Sequence, residues 1–294
     1  MKAKSSHFFG GLLCAFAATT AAQAATIYVD INGPGSGPWA SAYQDLQAAI
    51  NAANGGDEIW VADGTYLAPV ISMVHGFNIN KAVNIYGGFA GNETQWSQRD
   101  FVNNLTILSG DAGVVGDRSD NRTTVVRVTF TTSSNIRLDG FTIRDAWGTN
   151  AQGGAVFPSA GIVIGVGSSP TIQNCRIIAN RGHPMDGAGG GLFFDGRSAA
   201  QILDTLFEDN SAGEGGAIYL DHSNQEIDAP TIERCRFIRN VAGRAGGGIS
   251  MKVRRPSGLI DWTVFQSVVS LPRESGLCGR DAGTPRTMGN ATTA

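Results

Sequence analysis

Apolar residues along this chain come in short runs closed off by Gly, Asn or Pro. Examples are Ile27-Tyr28-Val29, Ile59-Trp60-Val61, Cys175–Ile178 and Leu192-Phe193-Phe194. None continues at a 3.6-residue period for long enough to make a pair of helices, so the units are strands. One segment departs from this. Tyr43, Leu46, Ile50 and Ala53 fall on one helical face, with Ser41 and Gln44 spaced as a capping box and Gly55-Gly56 as the stop. The pattern predicts strand, helix, strand from Ile27 to Val61, the helix lying over an exposed end of the strand array.

The strand units repeat. Pro170–Asn180 (PTIQNCRIIAN) and Pro230–Asn240 (PTIERCRFIRN) are identical at seven of eleven positions. A weaker copy, Ile202–Asn210, lies midway between them, so Asn180, Asn210 and Asn240 recur at one constant interval. After each comes a loop and a glycine run leading into apolar residues: Gly189-Gly190-Gly191-Leu192, Gly215-Gly216-Ala217-Ile218 and Gly246-Gly247-Gly248-Ile249. A fixed period of this size marks a solenoid. With strand units, each repeat is one coil of a parallel β-helix, and successive coils stack about 4.8 Å apart. Stacking predicts one inward column of Ile177, Phe207 and Phe237 and a second of Leu192, Ala217 and Ile249. It also predicts a column of Asn180, Asn210 and Asn240 at a turn, in the left-handed conformation that Asn tolerates, bonded up and down the stack.

Phe207-x-x-Asn210 followed by Gly215-Gly216-Ala217-Ile218 resembles the repeat of chlamydial-type polymorphic outer membrane proteins. The wider pattern, Thr26 to Met251, resembles bacterial secreted right-handed β-helix proteins of the pectin-lyase-like superfamily. The resemblance implies an all-β, right-handed, single-stranded parallel β-helix with a short N-terminal capping helix. It implies a polysaccharide or surface protein as partner, and it leaves activity open, because that superfamily spans lyases, hydrolases, adhesins and autotransporter passengers.

Composition agrees with many tight turns: 40 Gly, with 16% charged residues. A solenoid is one continuous core, so 294 residues do not by themselves set a domain count. Residues 1–24 have the form of a secretory signal peptide, with Lys2 and Lys4 ahead of an apolar stretch, Phe8 to Ala18, and Ala22-Gln23-Ala24 as the cleavage site. The apolar stretch is too short for a membrane span. The expected location is extracellular or on the outer cell surface. Loss of the leader takes the formal charge from −3 to −5, which speaks against nucleic acid or an anionic membrane as partner. The expected organisation is a strand–helix–strand cap at 25–67, the β-helix at 68–252 and an irregular tail at 253–294, the whole a monomer. In the tail, Trp262-Thr263-Val264-Phe265 reads as one degraded strand. The remainder is polar and aperiodic, as in a disordered tail or a truncated or frame-shifted product.

Candidate chemistry is sparse. Asp195 and Asp221 follow equivalent apolar runs and should stack within one or two coils, with His222 and Asp186 nearby; a hydrolase needs two carboxylates about 5–10 Å apart. Asp221-His222-Ser223 in a row is not a triad, whose members meet in space. Asp111, Asp117, Asp120 and Asn121 share one polar loop and could supply oxygens to Ca²⁺, though not with EF-hand spacing; a solvated acidic loop explains them equally, and no cofactor is expected. Asp209 and Arg239, one period apart, should pair as a cross-strand charge pair. Cys175 and Cys235 occupy one slot two coils apart, about 9–10 Å. That exceeds the roughly 7 Å reach of a disulfide, so they should be unpaired, inward thiols. Taken together the residues favour a binding, adhesion or structural module over a polysaccharide lyase or glycoside hydrolase.

Overall fold

The computed structural model describes residues 24–71, 74–129, 136–148, 160–183, 188–196, 198–222 and 230–253. The expected leader, Asp186 and the tail beyond Val253 lie outside the described residues.

Three parallel sheets form the wall. The first stacks Thr26–Val29, Glu58–Ala62, Asn84–Phe89, Arg137–Asp139, Thr171–Gln173, Gln201–Leu203 and Thr231–Glu233. The second runs Gly64–Leu67, Thr106–Ser109, Phe141–Arg144, Arg176–Ile178, Leu206–Glu208, Arg236–Ile238, and the third Phe77–Ile79, Thr124–Val128, Ala160–Ile164, Leu192–Asp195, Ile218–His222, Ile249–Val253. Each lap of the chain adds one strand to each sheet, so the protein is an all-β parallel β-helix.

The core is a bundle of vertical columns. The first sheet points Ile59, Ile85, Leu138, Ile172, Ile202 and Ile232 inward. The second contributes Tyr66, Leu108, Ile143, Ile177, Phe207 and Phe237, the last three in register as the constant repeat interval requires. Phe207 is fully buried, and its ring stacks on Phe237 at 5.1 Å and 3°. The third column departs from expectation by one residue: Leu192 pairs with Ile218, not Ala217, and Ile218 with Ile249. The reason lies in the loops before the glycine runs. These differ in length, and the runs align instead at a glycine in the left-handed region, Gly189 (φ +73°), Gly215 (φ +60°) and Gly246 (φ +65°). Counting onward from that glycine, not a full period from the last coil, gives the register.

The Asn column is present, but its members are not the left-handed residues. Those are their predecessors, Ala179 (φ 55°), Asp209 (φ 54°) and Arg239 (φ 51°). The twist there turns each Asn side chain inward. Asn210 Oδ1 accepts from Asn180 N and Nδ2, both at 3.1 Å. Asn210 Nδ2 donates to Ile177 O at 2.8 Å and to Asn240 Oδ1 at 3.0 Å. Asn180 and Asn210 are buried, so the ladder satisfies backbone groups that a dry turn would leave orphaned.

At the N-terminal end the helix Leu46–Ala52 buries Leu46, Ala49 and Ile50 in the main core beside Val29. Its cap is Asp45, not Ser41. The Asp45 carboxylate accepts from Gln47 N (2.7 Å) and Ala48 N (3.2 Å), while Pro38 starts a separate 3₁₀ turn, Gly37–Ser41. Tyr43 therefore leaves the helix and pairs with the first strand, its N–H donating to Tyr28 O. The polar stretch 90–104 is pinned to the wall. Arg99 donates to Gly87 O (2.5 Å), Asp139 O (2.7 Å) and Asp139 Oδ1 (2.8 Å), and this ion pair is buried. No helix among the described residues is long and apolar enough to cross a membrane.

Candidate functional site

Outward positions carry any chemistry, because the interior is filled. Asp195 and Asp221 are register partners on adjacent strands of the third sheet, with Lys252 next in the column. Their backbones are thus one coil, about 4.8 Å, apart. The carboxyl of Asp195 is held above the usual carboxylate range, first by partial desolvation, then by the charge of Asp221, with Arg127 pulling it back. His222 follows on the same strand; its side chain lies outside the described residues.

The acidic loop does not converge. Asp111 accepts from Gly116 N at 3.0 Å, Asp117 from Ser119 N at 2.9 Å and Oγ at 2.7 Å, and Asp120 Oδ2 from Val114 N at 2.8 Å. Each carboxylate folds its own turn. Among the described residues no three His, Cys, Asp or Glu side chains gather as a metal-holding group.

Both thiols are buried and unpaired, and desolvation pushes Cys175 up to about 12 and Cys235 up to about 11. With Thr205 they form one slot: Cys175 donates to Gln173 O (3.1 Å), Thr205 to Leu203 O (2.8 Å), Cys235 to Glu233 O (3.3 Å). They act as small inward donors rather than reactive groups. The Asp209–Arg239 pair forms as expected, with Arg239 Nε at 2.8 Å from Oδ1 and Nη2 at 2.7 Å from Oδ2.

A feature missed in the sequence is a groove of about 300 Å³ on the outer wall of the second sheet. Its floor includes the outward column Thr142, Arg176, Leu206 and Arg236, one residue per coil. Its apolar rim is the loop bearing Phe101, Val102 and Leu105, with Val102 70% exposed. Along one side run the turn residues Asn174, Asp204 and Arg234. Arg234 is neutralised there by two bonds to Asp204 (2.6 and 2.9 Å) and one to Glu233 (3.1 Å). Arg176 and Arg236 are exposed and form no ion pair among the described residues. The repeat alignment places both in one outward slot; what it omits is the loop from a distant coil that walls the groove.

No curated protein matches the sequence significantly. The family description "Right handed beta helix region" matches residues 92–255, more than half of the chain. That span covers the regular coils described above, and the chain belongs to the right-handed β-helix family.

Proposed function

We propose that the protein is an exported binding module that holds an extended surface glycan along the outer wall of its second sheet. The observation that carries this is the pair of exposed arginines, Arg176 and Arg236, in one outward column of the groove. They stand two coils, about 9–10 Å, apart. Leu206 between them and the Phe101–Leu105 rim offer apolar surface for sugar faces, while the guanidiniums suit carboxylates at bidentate range. The groove runs along the stack, so a linear chain lies over several coils at once. The experiment is binding to immobilised polygalacturonate and alginate, with dextran as the neutral comparison. Joint replacement Arg176→Ala and Arg236→Ala should weaken binding to the acidic polymers by about tenfold or more, near 1.4 kcal/mol. Acidic-polymer binding unchanged by that pair, or equal binding to dextran, defeats the reading.

A second reading, a polysaccharide-active enzyme, is favoured by Asp195 and Asp221. Two adjacent carboxylates, one held above its usual range, are what an acid–base division of labour requires. It would show as turnover of these polymers lost with a single Asp195→Asn or Asp221→Asn change, a drop of about 10²–10⁴ in rate.

A further inference from the structure

The first strand, Thr26–Val29, begins one residue after the expected leader cut, and Ala25 is fixed from both sides. Its carbonyl accepts from Glu58 N at 2.9 Å, and its nitrogen donates to Asp57 Oδ1 at 2.8 Å. The other carboxylate oxygen, Oδ2, accepts from Asn54 N at 2.7 Å, just past the helix Leu46–Ala52, and Asp57 N donates back to Asn54 O at 3.1 Å. Asp57 is buried, while Ala24 and Ala25 are exposed. One carboxylate thus ties the start of the first strand to the end of the helix that covers the core.

The cleavage motif, Ala22-Gln23-Ala24, stands directly ahead of this contact. A cut there changes the chemistry of the Ala25 nitrogen. In the uncut chain it is an amide with a single N–H. Hydrolysis of the Ala24–Ala25 bond by a peptidase consumes one water. The new carboxylate leaves on Ala24, and the freed amine stays on Ala25 and takes a proton at neutral pH, since an α-amino group titrates at about 7.7–8.0. The nitrogen then carries a positive charge, against a carboxylate already within bonding range, so an ion pair is added to the hydrogen bond. Asp57 is suited to this role. Its carboxyl is held below the usual range first by the Ala25 N–H, then by the Asn54 N–H, with the charge of Lys81 adding to both. The other charged groups on the adjoining segments are engaged: Glu58 Oε2 accepts from Trp60 Nε1 at 3.2 Å, and Lys81 Nζ donates to Asn51 O at 2.6 Å and Ala53 O at 2.8 Å. The helix itself carries no charged side chain.

We propose that leader removal completes the N-terminal cap: the α-ammonium created at Ala25 forms an ion pair with Asp57 that the precursor cannot form. The processed chain therefore holds this end of the stack more firmly than the unprocessed one. The inference rests on the export reading above and states what export does to the fold.

The full chain is expressed with its leader in an exporting bacterial host, and the N-terminal peptide of the exported product is identified by mass spectrometry. It should begin at Ala25. The α-amine is then titrated by trace acetylation with acetic anhydride across pH. Its pKa should stand about one unit or more above the ordinary value of about 7.7–8.0, a tenfold weaker loss of the proton. Two comparisons isolate Asp57. One is a protein with a single glycine added ahead of Ala25, which keeps the amide bond to Asp57 and moves the ammonium away; the other is Asp57→Asn. Both should titrate at the ordinary value, and if Asp57→Asn does not fold the glycine-extended protein alone decides. In urea at pH 7 the processed protein should show a folding constant about tenfold above that of the glycine-extended one. A raised folded pKa adds stability below the unfolded value and loses it as pH rises through the folded value, so the gap should close by about pH 10. An Ala25 amine that titrates at the ordinary value, or a gap that persists at about pH 10, overturns the ion pair and leaves export standing. An exported product cut at another position does the same, whereas a product that keeps its leader overturns the ion pair and export together.

Discussion

Asn210→Ala is the sharpest probe of the ladder, because the consequences can be worked bond by bond. The side chain is 0% exposed and makes four hydrogen bonds: two accepted from Asn180, one donated to Ile177 O and one to Asn240 Oδ1. Some partners keep alternatives. Asn180 Nδ2 still reaches Ile143 O and Ile178 O, and Asn240 Oδ1 still receives Asn210 N. The Asn180 N–H loses its bond inside a buried turn, a penalty of about 1–3 kcal/mol. The bond to Ile177 O adds about 1 kcal/mol, and the void left by the amide about another. The expected loss is about 3–5 kcal/mol, read as a fall in the urea midpoint with unchanged slope. Asn240→Ala provides the control. Its side chain is half-buried and makes bonds to Phe207 O and to Asn210, but water reaches the site, so the loss should stay near 1–2 kcal/mol. Equal costs at the two positions, or a cost under about 1 kcal/mol at Asn210, would refute the view that the ladder stabilises the turn by satisfying buried groups.

Phe207→Ala should cost roughly 3–5 kcal/mol, because it removes a buried ring between Ile177 and Phe237, whereas Leu67→Ala, at a 53% exposed site, should cost little; a urea melt compares them, and parity would contradict the column. Cys175 and Cys235 should resist iodoacetamide at pH 8 until denaturant is added, since burial pushes both thiols to about 11–12; rapid labelling of the folded protein counts against it. Asp195 has a raised carboxyl, so its ionised form weakens the fold: the penalty is absent below the unfolded value of about 3.9 and grows as pH rises through the higher folded value. Asp195→Asn should therefore stabilise the protein at pH 7 and be neutral at pH 3; the opposite pH order in thermal melts would reject that origin.

Legibility followed periodicity. Where identical slots recur at a constant interval, as at Ile177, Phe207 and Phe237, the column is written in the chain, because stacked coils share one environment per slot. Where loops change length the count slips, which is why Ile218 and not Ala217 meets Leu192. The early coils were harder still. Arg99 and Glu93 have the composition of a solvated loop, yet Arg99 closes a buried pair with Asp139, and Glu93 accepts the N–H groups of Ala90, Gly91 and Asn92. Charge in a sequence signals exposure only until a partner 40 residues away is found. The groove was hidden for a related reason: its floor is periodic, its rim is not.

The glycine lead-ins have a bearing on how such a chain can grow. A Cβ at Gly190 would sit 2.5 Å from Gly216 O, and one at Gly216 would sit 2.5 Å from Gly247 O. Each glycine is therefore kept bare by the coil that comes after it, not by its own. A unit copied in tandem arrives already carrying the clearance its successor needs, so whole-coil duplication is sterically free at the moment it happens. Point change is the opposite: a methyl group at either glycine strikes the next coil's backbone at once. Descent by duplication can thus lengthen the array readily, while the lead-ins inside it stay locked for as long as another coil rests on them.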